Sequence, residues 1–203
     1  MSNEPLIRSV HGFFPSKETV FSLLEKAGRQ ERTTLYFAAP IDPSRDEDRF
    51  PVTRVTPNPP ELGSGYRAEL DPAFVPEGGA LEHAIPALFP VGAVLWARES
   101  WGHTLPGADS PYCYRFDSTP AGPRSGWSPP VRMPRRASRV LAEVVGIDCL
   151  PAATLGLEKD SQGRQVRGVV HALDVIPYAQ NIDLWMADHR PRVAGKEGLH
   201  ALS

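Results

Sequence analysis

Cysteine is scarce in this chain. The two cysteines, Cys113 and Cys149, are too few for a disulfide framework, and their spacing matches no zinc-binding pattern. Both lie in apolar or aromatic segments of strand character, which predicts buried, reduced thiols. The six histidines include no His-x-x-x-His spacing, so the sequence predicts no metal site.

An excess of charge of either sign is also missing. The chain has 22 basic and 24 acidic residues. This balance excludes a global field that attracts polyanions, so a nucleic-acid-binding surface must be a local patch. The longest uncharged apolar run, 84–97, contains two prolines and is too short to span a bilayer. With no signal-like N-terminal pattern, we expect a soluble, cytoplasmic protein without a membrane partner.

Proline, in contrast, is abundant, with 22 among 203 residues. This is about twice its usual share. Because proline cannot donate a backbone hydrogen bond to a helix or a sheet, the excess favours irregular loops. We predict a long proline-rich loop insertion at about 42–88, without regular structure over 42–80, and a second proline-rich loop at 118–134.

The remaining segments predict an α+β domain. A helix is expected at 15–28, with Ser16 as its N-cap and Gly28 as its C-terminal stop. β-Branched and aromatic residues predict strands at 33–41, 91–98, 112–116, 138–150 and 163–176. A short helix is expected at 179–189. This order favours a small, mostly antiparallel sheet or barrel. We predict one domain over 1–187 and a flexible tail at 188–203.

The segment VLWARESWGH, 94–103, ends an apolar strand with a charged pair. Arg98 and Glu99 stand between Trp96 and Trp101, and the whole chain has only four tryptophans. Two interpretations are open. The pair joins across the sheet with the tryptophans packed around it, or it borders a ligand-binding cleft, since a buried ion pair is weak support for stability alone.

A second segment concentrates positive charge. Four arginines lie within eight residues, with no acidic residue among them: Arg132, Arg135, Arg136 and Arg139. The planar guanidinium group binds phosphate through two hydrogen bonds and stacks on bases, so this cluster suits an anionic ligand. Alternatively, these are solvated charges that balance the acidic loop at 42–48. Both interpretations stay open at this point.

Together these segments resemble the ASCH-domain proteins that are common in bacteriophage and prophage genomes. The family pattern runs Gly-Asp-x-Leu-Trp-Val-Arg-Glu-Thr-Trp, then a Tyr-Arg strand, then Trp-x-Pro-Ser-Ile-His-Met-Pro-Arg-Trp-Ala-Ser-Arg. The resemblance covers about residues 88–148 well. The matching residues are Gly92, Leu95, Trp96, Arg98, Glu99, Trp101, Tyr114, Arg115, Trp127, Pro129, Met133, Pro134, Arg135, Ala137, Ser138 and Arg139.

The resemblance implies a small PUA-like β-barrel with flanking helices and a cleft for RNA or a modified nucleoside. It implies no metal or other cofactor. We expect the chain to bind RNA, single-stranded DNA or a nucleotide, with stacking on tryptophans and arginines at the phosphates. The expected ligand-binding residues are Trp96, Arg98, Glu99, Trp101, Arg115, Trp127, Arg132, Arg135, Arg136 and Arg139.

Some members of this family are amidohydrolases that act on acylated cytidine. They use a lysine and a threonine of a Gly-x-Lys-x-x-Thr stretch together with a downstream glutamate. In this chain Gln30 stands at the lysine position and Thr33 at the threonine position. Because a carboxamide cannot accept a proton as a base does, the resemblance favours binding without catalysis.

Two alternative functions stay open. An enzyme acting on a nucleoside would depend on Thr33 and Glu99, with Glu158 or Asp160 in place of the family's acidic turn. A phage-encoded protein-interaction factor would instead present the proline-rich insertion to a host protein. A changed catalytic motif and a large insertion are compatible with this second alternative.

Overall fold

The computed structural model describes most of the chain. The described residues are 9–39, 52–59, 65–75, 77–80, 82–105, 111–117, 122–123, 126–166 and 168–189. The start of the predicted domain at 1–8 and all but the first two residues of the predicted tail lie outside these ranges.

Strands outnumber helices along the described residues. The elements are β1 (Ser9–Phe13), α1 (Lys17–Arg29), β2 (Thr33–Ala38), β3 (Val52–Pro57), β4 (Gly65–Leu70), β5 (Glu82–Pro86), β6 (Ala93–Ala97), β7 (Trp101–His103), β8 (Tyr112–Tyr114), β9 (Leu141–Pro151), α2 (Ala152–Leu155), β10 (Val169–Tyr178) and α3 (Ile182–Asp188). Two single 3-10 turns, Pro130–Arg132 and Arg135–Ala137, precede β9. The predicted α+β class is confirmed.

A five-stranded sheet forms the centre of the fold, in the order β1-β6-β9-β10-β2. β1 runs parallel to β6, and the other neighbours are antiparallel. β3, β4 and β5 form a separate sheet, and β7 and β8 form a two-stranded hairpin. The described strands therefore form three separate sheets, and a closed barrel is not found among them.

The two faces of the large sheet are covered by different elements, because successive side chains of a strand point to opposite sides. Leu95 of β6 packs with Val20 and Leu23 of α1. Trp96, the next residue, packs on the other face with Met133 from between the 3-10 turns and Trp185 of α3. The sheet is thus the middle layer between α1 and the segment 130–139 with α3.

Helix α1 confirms the predicted helix and its N-cap but not its end. The Ser16 hydroxyl oxygen accepts a hydrogen bond from the Thr19 backbone N–H at 3.2 Å. Gly28 was predicted to stop the helix, but the helix continues through Arg29 and Gln30 forms the cap. Gln30 has a φ of 56°, the left-handed conformation that glycine usually supplies at this position.

The prediction of no regular structure over 42–80 is wrong where β3 and β4 form, and it holds for the described residues 71–75 and 77–80. β3, β4 and β5 lie within the insertion and pair antiparallel. Pro57 and Pro86 stand at the ends of β3 and β5, where proline is compatible with a strand. Ala68 and Ile85 of this sheet pack with Cys149 of β9 and with β10, so packing against the large sheet stabilises it. The acidic stretch at 42–48 lies outside the described residues.

The other strand predictions are confirmed with shifted ends. β8 is shorter than predicted, and β10 begins and ends later than the predicted strand at 163–176. The short helix predicted at 179–189 is confirmed by α3. Both cysteines are buried and free, as predicted. Over the described ranges, the structure has no helix with the length and apolar character needed to cross a membrane.

A tight turn at Asp160 and Ser161 covers the outer side of β2. The Ser161 backbone N–H donates to the Tyr36 carbonyl oxygen at 2.8 Å, and the Tyr36 N–H donates to the Ser161 hydroxyl at 2.8 Å. The buried carboxylate of Asp160 accepts hydrogen bonds from the backbone N–H groups of Ala38, at 3.1 Å, and Arg164, at 2.9 Å. The outward backbone groups of β2 are therefore occupied at this turn.

Candidate nucleic-acid interface

The two motifs of the resemblance meet at one end of the large sheet. β6 ends where β9 begins, with Trp96 opposite Leu141. The pairing continues past the strand, since the Ala97 N–H donates to the Val140 carbonyl oxygen at 3.1 Å. Residues 98 and 99 therefore lie beside the segment 130–139, which we call the arginine segment.

Glu99 is attached to the end of the arginine segment. Its side chain is fully buried, and its carboxylate accepts hydrogen bonds from Arg139 Nε at 3.0 Å and from Arg139 Nη2 at 2.7 Å. Burial raises the pKa of Glu99, and the hydrogen bonds and charge of Arg139 oppose this shift. The Glu99 N–H also donates to the sulfur of Met133 at 3.2 Å. Glu99 therefore holds the arginine segment at two residues, Arg139 and Met133.

Arg139 has two further partners. Its Nη1 donates to Asp117 Oδ1 at 2.7 Å, and its guanidinium group lies 4.3 Å from the centre of the Tyr114 ring. The Tyr114 hydroxyl donates to the carbonyl oxygen of Ala137 at 2.7 Å. Burial raises the pKa of Tyr114 to about 12, so this hydroxyl stays protonated at neutral pH. Arg139 is committed to protein contacts.

Arg98 attaches the start of the arginine segment. Its guanidinium group lies 5.4 Å from the Phe14 ring centre and 5.1 Å from that of Trp96. Its Nη2 donates to the carbonyl oxygen of Val131. Gly12 leaves space for this side chain, because a Cβ atom there would lie 2.6 Å from Arg98 Cδ. The two charged residues of the motif thus hold the arginine segment separately instead of pairing with each other.

The attached segment presents its other arginines to solvent. Arg132, Arg135 and Arg136 are exposed, and so is Arg115 after β8. Within the described ranges, the side chains of Arg115, Arg132 and Arg135 form no hydrogen bond or ion pair. Arg136 donates from Nε to the Tyr112 hydroxyl at 2.9 Å. The surface therefore carries positive charge that no described carboxylate neutralises, which suits an anionic ligand.

The predicted tryptophans take different positions. Trp96 is 6% exposed and belongs to the core, so it supports the site from behind. Trp101 and Trp127 are half-buried, and Trp101 pairs with Ser128 through two backbone hydrogen bonds of 3.2 and 2.8 Å. Each of these two residues keeps part of its surface accessible to solvent. Their role in ligand binding stays a prediction.

Two aromatic residues at this surface, His103 and Tyr112, were not among the binding residues expected from the sequence. In the β7–β8 hairpin, Trp101 is opposite Tyr114 and His103 is opposite Tyr112. These four residues alternate with Gly102 and Cys113, so their rings share one face of the hairpin. The signal was present in the sequence as aromatic residues on both sides of one small residue, in WGH and in YCY.

The residues of the enzyme alternative do not meet. Thr33 begins β2 and Glu99 follows β6, and two strands, β9 and β10, stand between them in the sheet. At the usual strand spacing, this separates the strand ends by about 14 Å. Thr33 lines a cavity of about 220 Å³ beside Glu18 and Ser161, whereas Gln30 lines a different cavity of about 360 Å³. Glu99 lines neither.

The two acidic residues considered for the family's glutamate position have different surroundings. Asp160 is buried, and its carboxylate accepts hydrogen bonds from backbone N–H groups. It also accepts one from Arg164 Nε at 2.9 Å. Glu158 is exposed. Across the described part of the chain, no three histidine, cysteine or acidic side chains lie together in a way that could hold a metal ion.

Comparison of the chain with models of protein families, with curated proteins and with solved structures finds no match. The resemblance to ASCH domains therefore depends on the quoted residues.

Proposed function

We propose that this protein is a PUA-like module of ASCH type that binds nucleic acid or a nucleotide at the arginine segment, without catalysis. The observation that carries the proposal is the set of exposed arginines that have no acidic partner among the described residues: Arg115, Arg132, Arg135 and Arg136. Their guanidinium groups face solvent on a segment that is held in place, and phosphate is the anion that guanidinium groups suit best.

The contacts between the two motifs support this proposal. Arg98 and Glu99 come from the first motif, and their partners Val131, Met133 and Arg139 come from the second. Residues that the resemblance selects for their order in the sequence are therefore in contact across the fold. This arrangement orders the arginine segment before a ligand arrives, which lowers the entropic cost of binding.

The absence of catalysis is supported by the geometry of the remaining candidates. Gln30 offers no base, and Thr33 lines a cavity that Gln30 does not share. Glu99, the acidic residue of the motif, is occupied by two hydrogen bonds from Arg139. A hydrolase would need a base within hydrogen-bonding reach of its nucleophile.

The proposal is tested by fluorescence anisotropy with labelled single- and double-stranded RNA and DNA at two salt concentrations. We expect binding that weakens steeply with salt, since each phosphate contact adds about 0.7–0.9 to the slope of log affinity against log salt. The variant Arg135→Ala/Arg136→Ala should weaken binding and reduce the slope by about 1–2.

The matched control removes two positive charges elsewhere. Arg54 and Arg67 lie on the small sheet. Arg54 Nη1 is 3.9 Å from Glu69 Oε1, and Arg67 Nη1 is 3.1 Å from Glu82 Oε2. Arg54→Ala/Arg67→Ala changes the net charge equally and should leave binding unchanged. Equal losses in both double variants would mean that binding follows net charge alone. No binding at low salt would overturn the proposal and favour the protein-interaction alternative.

A further inference from the structure

We infer that the β7–β8 hairpin binds bases of single-stranded nucleic acid, with Tyr112 as the stacking residue and Arg136 as its phosphate-binding partner. This inference rests on the proposed function and names its ligand class. Neither Tyr112 nor His103 belongs to the residues that the sequence pattern selects for binding.

The rings of the hairpin form a continuous aromatic surface. The ring centres of His103 and Tyr112 are 5.0 Å apart, and that of Trp101 lies 5.5 Å from His103 and 5.7 Å from Tyr112. All three side chains are half-buried. Trp101 and Tyr112 pack partly against the core beneath α3, so the hairpin is fixed while part of its aromatic surface faces solvent.

Arg136 is held next to this surface by the same tyrosine. Its Nε donates to the Tyr112 hydroxyl at 2.9 Å, and neither terminal nitrogen of the exposed guanidinium group bonds to another described residue. An aromatic ring and a guanidinium group thus lie side by side, joined by one hydrogen bond. A nucleotide has the complementary arrangement, with a flat base beside a phosphate.

The pairing of rings with charge favours single strands over duplexes. In a duplex the phosphates are exposed, but the base faces are stacked inside and unavailable to a side chain. In a single strand both are accessible, and stacking on an aromatic residue contributes about 1–3 kcal/mol per base. An arginine surface alone would bind both forms, whereas the hairpin adds affinity only for the single strand.

The test compares three labelled 12-mers by anisotropy at low salt: a single strand, the same single strand built from abasic nucleotides, and the duplex. We expect the base-bearing single strand to bind about 5- to 150-fold more tightly than the abasic strand, which is the stacking contribution converted to affinity. Tyr112→Leu should remove most of this ratio, and Tyr112→Phe should preserve it, since Phe keeps the ring while releasing Arg136.

Phe74→Leu is the matched control, because Phe74 is 58% exposed and follows β4 of the small sheet. It should leave the ratio unchanged. Equal, salt-sensitive binding of all three 12-mers would overturn the inference and leave the proposed function standing. Failure of every 12-mer to bind would overturn both. The wild-type ratio tests whether bases are bound, and an unchanged ratio in folded Tyr112→Leu would place the stacking on another residue and overturn the inference.

Discussion

Glu99 and Arg139 form an ion pair with two hydrogen bonds, in which the carboxylate is fully buried and the guanidinium group remains partly exposed. The pair joins the end of β6 to the residues that lead into β9. Its energy differs from that of a surface pair, because the buried charge has no access to water when its partner is removed.

Replacing Arg139 by methionine should therefore destabilise the protein by roughly 3–5 kcal/mol, as expected for an uncompensated buried charge. Urea unfolding at pH 7 measures the loss. The pKa of Glu99 should rise further in this variant, so its deficit should shrink as the pH is lowered. The double variant Glu99→Gln/Arg139→Met should be more stable than the sum of the single changes predicts. Additive losses would show that the two side chains do not interact.

Gly12→Ala tests the contact between Arg98 and the strand beneath it. The added Cβ would lie 2.6 Å from Arg98 Cδ and 3.2 Å from a ring carbon of Trp96, so we expect destabilisation of about 1–3 kcal/mol by overpacking. Thermal unfolding checks this value. Shortening the arginine in Gly12→Ala/Arg98→Ala should recover part of the loss relative to Arg98→Ala alone. Full tolerance of Gly12→Ala would mean that Arg98 is not held where the structure places it.

Gln30 caps α1 with a positive φ, which costs a residue with a side chain about 1–2 kcal/mol. Gln30→Gly should remove this strain. Because glycine also increases the entropy of the unfolded chain, the net gain should be about 0.5–1 kcal/mol. Gln30→Val should act in the opposite direction, since a β-branched residue tolerates this conformation least. Melting temperatures that change in the same direction for both variants would contradict this explanation.

His171 makes stability depend on pH. It is 1% exposed, its Nδ1 has no hydrogen-bond partner among the described residues, and burial lowers its pKa below the usual 6.5. Below about pH 6.5 the unfolded chain binds a proton that the folded protein excludes. Stability should therefore fall as the pH decreases through this window, by up to about 1.4 kcal/mol per pH unit. His171→Phe should flatten this part of the urea-unfolding profile between pH 7.5 and 5.

The elements that were predicted correctly have local signals. α1 has a serine N-cap and an uninterrupted helical run, and β9 is a long β-branched segment. β3, β4 and β5 were missed because prolines and charged residues interrupt them and because their stability depends on distant residues. Ala68, for example, packs with Cys149, which is 81 positions later in the chain. No local pattern contains that contact.

The sequence predicted which residues belong to the site but not which of them are in contact. The pattern indicated that Arg98 and Glu99 were unusual, but their partners Val131 and Arg139 lie 33 and 40 positions away. Proximity in sequence suggested that the two residues pair with each other, whereas both follow the end of β6 and contact different residues of the arginine segment. Tyr112 was missed because its place beside Arg136 depends on the hairpin register, which the intervening residues do not reveal.

The turn at Asp160 has a consequence for self-association. A sheet ends in a strand whose outward N–H and C=O groups can pair with the same strand of another molecule, and such pairing leads to aggregation. In this protein the outward groups of Tyr36 are taken by Ser161. The carboxylate of Asp160 fixes that cover through Ala38 and Arg164. One buried acidic residue thus keeps the outward groups of Tyr36 and Ala38 from being open to a strand of another copy.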